Sequence, residues 1–169
     1  THSLSTIITR CSNNYGPFQF PEKFVPLLIN NAINDKELPI YGSGRNIRDW
    51  IHVKDHCEGI FSALCHGISG EVYNFGGNTE IRNIDLAHKI LDLLEKPKSL
   101  ISYVEDRKGH DYRYAIDVNK AKSDLSWEPK IDFTRGLKDT IKWYSDNNLW
   151  LNSVTSGEYL EYYEKQYGH

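Results

Sequence analysis

Short apolar blocks alternate with turn residues along this chain, and their spacing changes between period two and period three to four. Residues 5–11 are dense in β-branched side chains and predict a strand. Ser12-Asn13-Asn14-Tyr15-Gly16-Pro17 carries turn residues and reads as a loop. Pro21 opens a helix that runs to about Asn34, with Phe24, Val25, Leu27, Leu28 and Ala32 on one broad face and Pro26 in its first turns. Leu38–Tyr41 is extended, and Gly42-Ser43-Gly44 turns. Residues 48–53 alternate as a strand and lead into a helix over about 55–67, for which Ile60, Phe61 and Leu64 are the expected buried stripe. A strand over 71–75 ends at Gly76-Gly77, and a helix over about 83–95 follows, with Ile84, Ala87, Ile90, Leu91 and Leu94 at helical spacing. Residues 102–104 form a short strand. Asp117 and Asp132 are candidate caps for two helices, one ending near Leu125 and one carrying Phe133, Leu137, Ile141 and Tyr144. The tyrosine-rich stretch 156–167 reads as helical.

This alternation predicts an α/β layered fold. Hydrophobic residues make up 39% of the 169 and charged residues 25%, enough for a packed core. A net charge of −3 gives no general attraction to nucleic acid or an acidic membrane. No apolar run approaches the roughly 20 residues that span a bilayer. Cys11, Cys57 and Cys65 have no paired metal spacing and read as reduced thiols in a cytoplasmic protein. The opening residues show no leader pattern. Methionine is absent and the first segment already reads as a strand, so the expectation is a C-terminal piece of a longer protein or a trimmed product.

Neither a Gly-rich dinucleotide fingerprint nor a P-loop is found, and His52 and His56 are poorly placed for zinc because His52 sits in a strand pattern. Four polar groups lie at element ends. Asn13-Asn14 can hold amides and sugar hydroxyls, or can simply make a turn. Glu22-Lys23 opens a helix, where an anion or only solvent can sit. Arg48 can grip a phosphate or pair with a local carboxylate. The run from Asp106 to Tyr114 holds two arginines, a lysine and a histidine, and is either an anion site or a solvated loop. Tyr15 and Tyr41 are available to stack on a base. Together these favour a phosphorylated, nucleotide-sized ligand.

Cys11–Pro17, Phe20-Pro21-Glu22-Lys23, Leu38-Pro39-Ile40-Tyr41-Gly42, Arg48-Asp49-Trp50, Tyr73–Gly77, Asn83, Asp106–Asp111 and Ser156-Gly157-Glu158-Tyr159 occur in this order. The set resembles the dTDP-glucose 4,6-dehydratases of the extended short-chain dehydrogenase/reductase superfamily, over nearly the whole chain. The Asn-x-Tyr-Gly-Pro and Arg-Asp segments are shared with nucleotide-sugar epimerases and decarboxylases, which are the alternative, as is a non-catalytic sugar-nucleotide-binding fragment. Lys108 stands where the resemblance leads one to expect proline.

The resemblance implies the C-terminal half of a Rossmann-type enzyme, mostly its smaller substrate lobe. Residues about 1–17 and 45–70 would finish the dinucleotide-binding sheet. The implied reaction converts dTDP-glucose to dTDP-4-keto-6-deoxyglucose and water, on the route to deoxysugar nucleotides such as that of rhamnose. NAD takes hydride from C4, water leaves across C5–C6, and the hydride returns to C6. The implied roles are Asn13 on the substrate, Asn14 near the nicotinamide, Glu22 and Lys23 on the hexose and diphosphate, and Pro39 and Tyr41 flanking thymine. Arg48 and Arg107 would hold the diphosphate, Asn83 and His110 the nucleoside, and Tyr159 would close over the ligand. The acid–base residues lie outside this segment, so it is expected to be inactive alone and to leave apolar faces open. The full-length protein is expected to be a cytoplasmic homodimer.

Overall fold

A computed structural model of the chain describes residues 4–155 and 157. In chain order these form β1 (Ile8–Cys11), β2 (Asn13–Tyr15), α1 (Phe24–Ile33), β3 (Leu38–Tyr41), β4 (Ile47–His52), α2 (Val53–His66), β5 (Val72–Phe75), β6 (Glu80–Arg82), α3 (Asn83–Leu93), β7 (Ile101–Val104), β8 (Arg113–Tyr114), α4 (Asn119–Leu125), α5 (Phe133–Asp146) and α6 (Asn148–Thr155). This is the expected α/β alternation. The Tyr159 expectation and the 156–167 helix fall outside the described residues, Gly157 apart.

Three strand ladders organise the chain: β1 with β5, β3 with β7, and a larger one centred on β4. β4 pairs in parallel with β2 through its C-terminal half, Asn13 opposite Trp50 and Tyr15 opposite His52. Its N-terminal half pairs with β6 and β8. The larger core lies among α1, α3, α5 and β3, with Leu28, Ile40, Leu86, Ile90 and Tyr144 fully buried. A second core joins Ile51, Ala63, Tyr73, Phe75, Leu125 and Trp127. Asp132 caps α5 as expected, accepting from the Arg135 N–H at 2.9 Å. Asp117 is not the N-cap of α4, a position held by Val118; it stands one residue earlier and accepts from the Asn119 N–H at 2.7 Å.

Two further expectations are corrected. Residues 13–15 are a strand and not a loop, because β4 supplies a parallel partner that turn propensity alone does not reveal. On α2 the expected stripe faces outward: Ile60, Phe61 and Leu64 are exposed, the last two at 67% and 78%. The helix packs instead through Asp55, Gly59 and Ala63, one residue per turn. A Cβ on Gly59 would lie 2.6 Å from the Phe75 ring, so α2 approaches β5 through its small residues. The short strands β6 and β8 and the helix α6 are elements that the hydrophobic pattern did not announce.

Candidate ligand-binding cleft

β2 fixes the first side chains. Successive strand residues face opposite ways, so Asn13 and Asn14 diverge. Asn13 lines a cleft of about 320 Å³. Asn14 points to α2, where its Nδ2 donates to Cys11 Sγ and the Ser12 carbonyl and its Oδ1 lies 2.9 Å from His56 Nδ1.

The same alternation sorts β4. Arg48 and Trp50 line the cleft. Asp49, between them, is buried on the other face and accepts from the N–H groups of Gly77 and Thr79 at 3.1 and 2.7 Å. A local ion pair between Arg48 and Asp49 is therefore excluded by strand geometry. Arg48 donates to the carbonyls of Ile47 and Asp111, at 2.7 and 3.0 Å. Burial, with Arg107 nearby adding like charge, lowers its pKa from the usual arginine value, while Asp111 opposes that shift.

The loop after β7 completes one wall. Asp106 Oδ1 accepts from His110 Nδ1 at 2.6 Å, and also from the Arg107 backbone N–H. His110 Nε2, assigned as the unprotonated nitrogen by this partner, accepts from Arg107 Nη2 at 3.0 Å. The Arg107 guanidinium then lies 5.0 Å from the Tyr41 ring centroid. The His110 bond, first among the causes, holds the Asp106 carboxyl below the ordinary carboxylate range.

Asn13, Glu22, Lys23, Pro39, Tyr41, Arg48, Asn83, Arg107 and His110, each singled out from the sequence, line this one cleft. Six separate chain segments contribute them. Glu22 and Lys23 are exposed and paired at 2.7 Å at one end. Asn83 opens α3 and is 8% exposed, with Oδ1 buried and unpartnered. Tyr15 is the exception among the aromatic candidates. It is 1% exposed, packed against His52 and Phe133, and cannot stack on a ligand. His52 is buried and caps α2 by accepting from the Lys54 N–H through Nδ1.

Phe24, Leu27 and Trp50 also line the cleft and were not singled out. Trp50 was findable, since it stands two residues after Arg48 in an alternating strand. Phe24 and Leu27 belong to the apolar face of α1 and carry no signal that separates cleft floor from core.

The charges decide what the cleft takes. Arg82 and Arg113 each meet a carboxylate through two nitrogens, on Asp85 and Glu80. Arg48 and Arg107 have no carboxylate within salt-bridge distance among the described residues. Two unneutralised guanidiniums in one cleft, beside an aromatic ring and unpartnered amides, fit an anion attached to a flat ring.

Comparison with known proteins agrees with this chemistry. The family model for GDP-mannose 4,6 dehydratase matches residues 1–140. The dTDP-glucose 4,6-dehydratase of Shigella flexneri is 48% identical over 174 residues, covering 99% of this chain and 48% of that protein. The crystal structure of dTDP-glucose 4,6-dehydratase from Bacillus anthracis in complex with NAD is 51% identical with a TM-score of 0.84, over 88% of this chain and 47% of that one. The Streptomyces venezuelae dTDP-glucose 4,6-dehydratase, crystallised with NAD and TYD bound, is 43% identical with a TM-score of 0.89, over 92% and 48%. The chain thus spans about half the length of the relatives it matches. By the extent of the family match and the residues that form the cleft, the chain belongs to the GDP-mannose 4,6 dehydratase family.

Proposed function

We propose that this chain supplies the sugar-nucleotide-binding part of an NAD-dependent dTDP-glucose 4,6-dehydratase, which forms dTDP-4-keto-6-deoxyglucose and water. The observation that carries the reading is the meeting of Arg48 and Arg107, without carboxylate partners, in a cleft lined by seven other residues selected beforehand. In this reading Arg48 and Arg107 hold the diphosphate, and Tyr41 and Pro39 enclose the thymine. Asn83 and His110 meet the nucleoside. Asn13, Glu22 and Lys23 reach the hexose end, and Tyr159 belongs to the same set. Residues about 1–17 and 45–70 border the dinucleotide-binding sheet, and the remainder forms the substrate lobe.

NAD, when bound, supplies a reversible hydride acceptor for the sugar. This chain would meet it at Asn14, whose two amide hydrogens are already given to Cys11 and Ser12. Asn14 therefore fits the cofactor only as an acceptor through Oδ1. The work of this chain is orientation: fixing the diphosphate aligns the hexose, and alignment of that kind is worth several kcal/mol of barrier. The full-length protein acts as a cytoplasmic homodimer in this reading.

The test has two parts. The 169-residue chain should bind dTDP by calorimetry. The full-length protein given dTDP-glucose and NAD should form the 4-keto-6-deoxy product. Binding without that product would reduce the assignment to a sugar-nucleotide module, and failure of both would end it.

A further inference from the structure

Trp50 carries a donor with nothing to donate to. It is 4% exposed, and its indole Nε1 is buried without a hydrogen-bond partner among the described residues. Buried indole N–H groups are ordinarily satisfied, as Trp127 shows here by donating to the Asp55 carbonyl at 3.1 Å. Trp50 differs from Trp127 in lining the cleft. Phe24 stacks near its ring, with centroids 6.4 Å apart and planes inclined by 21°, which restrains the indole.

The neighbours of Trp50 define what it meets. Asn13 stands opposite it across the β2–β4 ladder, and Arg48 precedes it by two residues on the same strand face. It thus lies between the guanidinium end of the cleft and the end carrying Asn13. An indole N–H can only donate. A donor-only group beside guanidiniums that lack carboxylates suits an anionic oxygen, whereas a hydroxyl would be served as well by an acceptor.

We propose that the Trp50 indole N–H is a ligand-binding donor of this cleft, and that its acceptor is a phosphate oxygen of a nucleoside diphosphate. The assignment rests on the nucleotide reading given above and adds to it a residue that the family resemblance did not supply. Trp50→Phe keeps the ring and removes the donor. With dTDP and thymidine as probes in calorimetry on the whole chain, Trp50→Phe should weaken dTDP about tenfold and leave thymidine unchanged. In the wild-type chain, the Trp50 indole cross-peak in a nitrogen-15 spectrum should move downfield with dTDP and stay in place with thymidine, which keeps the test alive if the variant does not fold. Equal dTDP affinity in both proteins, parallel loss for thymidine, or an unmoved indole signal in dTDP-saturated protein would overturn the assignment alone. Absence of dTDP binding by the wild-type chain would overturn the nucleotide reading together with it.

Discussion

The Arg107 guanidinium lies 5.0 Å from the centre of the Tyr41 ring and donates to His110 Nε2 at 3.0 Å. One guanidinium thus serves both contacts, its carbon over the ring and one Nη2 hydrogen on the imidazole. A lysine keeps the charge but lacks the broad delocalised group that makes both contacts at once. Arg107→Lys should therefore weaken dTDP binding about tenfold by calorimetry, the scale of a lost charge-assisted hydrogen bond. The loop is exposed, so the melting temperature should hardly change. Unchanged affinity would mean that charge alone suffices.

Asp106 acts behind that contact. By accepting from His110 Nδ1 it leaves Nε2 free to receive Arg107. Asp106→Ala should weaken dTDP roughly fivefold, about one neutral hydrogen bond. Combined with Arg107→Lys the losses should fall short of additive, since both variants break one chain of contacts. Strict additivity would separate the two residues.

His52 sets an acid limit on stability. Burial, as the leading cause, lowers its pKa from 6.5, and Asp55 only partly offsets this. His56 is lowered by burial as well. The unfolded chain therefore takes protons first. Stability should be full above the unfolded histidine value, fall as pH drops through it, and level off only below the folded values. Protonation also destroys the acceptor that caps α2. Melting curves between about pH 7.5 and about pH 5 should show this decline, and His52→Asn should make it shallower. An unaltered slope in the variant would exclude His52 as a source.

The turn after β5 is held from below. A Cβ on Gly77 would sit 1.7 Å from the Trp50 carbonyl oxygen, a clash with backbone that rotamer changes cannot relieve. Gly77→Ala should cost at least about 3 kcal/mol, read in denaturant melts. Asp49→Ala leaves the N–H groups of Gly77 and Thr79 without their acceptor and should cost about 2–4 kcal/mol. A smaller loss in either would show that the turn relaxes.

Phe61 and Leu64 test the opposite case. Being exposed on α2, they should tolerate replacement by Ser and Gln within about 0.5 kcal/mol. Light scattering of the chain should fall in the double variant, because contiguous apolar surface promotes association. A large loss of stability would place these side chains in a packed interface.

The cleft was more legible in the sequence than the packing around it. Arg48, Arg107 and Lys23 are residue types that a core rarely holds alone, so their position at element ends marked them, whereas Asn83 was indicated by the family resemblance alone. The sequence left Arg48 open between a phosphate and a local carboxylate; the alternation of β4, which buries Asp49 on the opposite face, removes Asp49 as that partner. Phe61 and Leu64 misled because helical spacing identifies an apolar stripe and not its partner. The close approach of Gly59 to Phe75, which turns α2 by its small residues, depends on a strand thirteen or more positions away. Tyr15 failed for a similar reason: an aromatic next to a polar pair reads as a stacking platform until His52 and Phe133 are seen to enclose it. The strand β2 was missed because its two asparagines and the Gly16-Pro17 that follows read as turn residues, while β4 decides its conformation.

Three residues of β2 stand between Cys11 and Gly16 with almost no slack, since Ser12 is bonded to the Phe75 carbonyl and Tyr15 is locked in the core. Removing one residue there would not merely shorten the segment. Deleting Asn13, for example, would turn the amide that serves His56 toward the cleft. Length at this point is thus as strictly specified as identity.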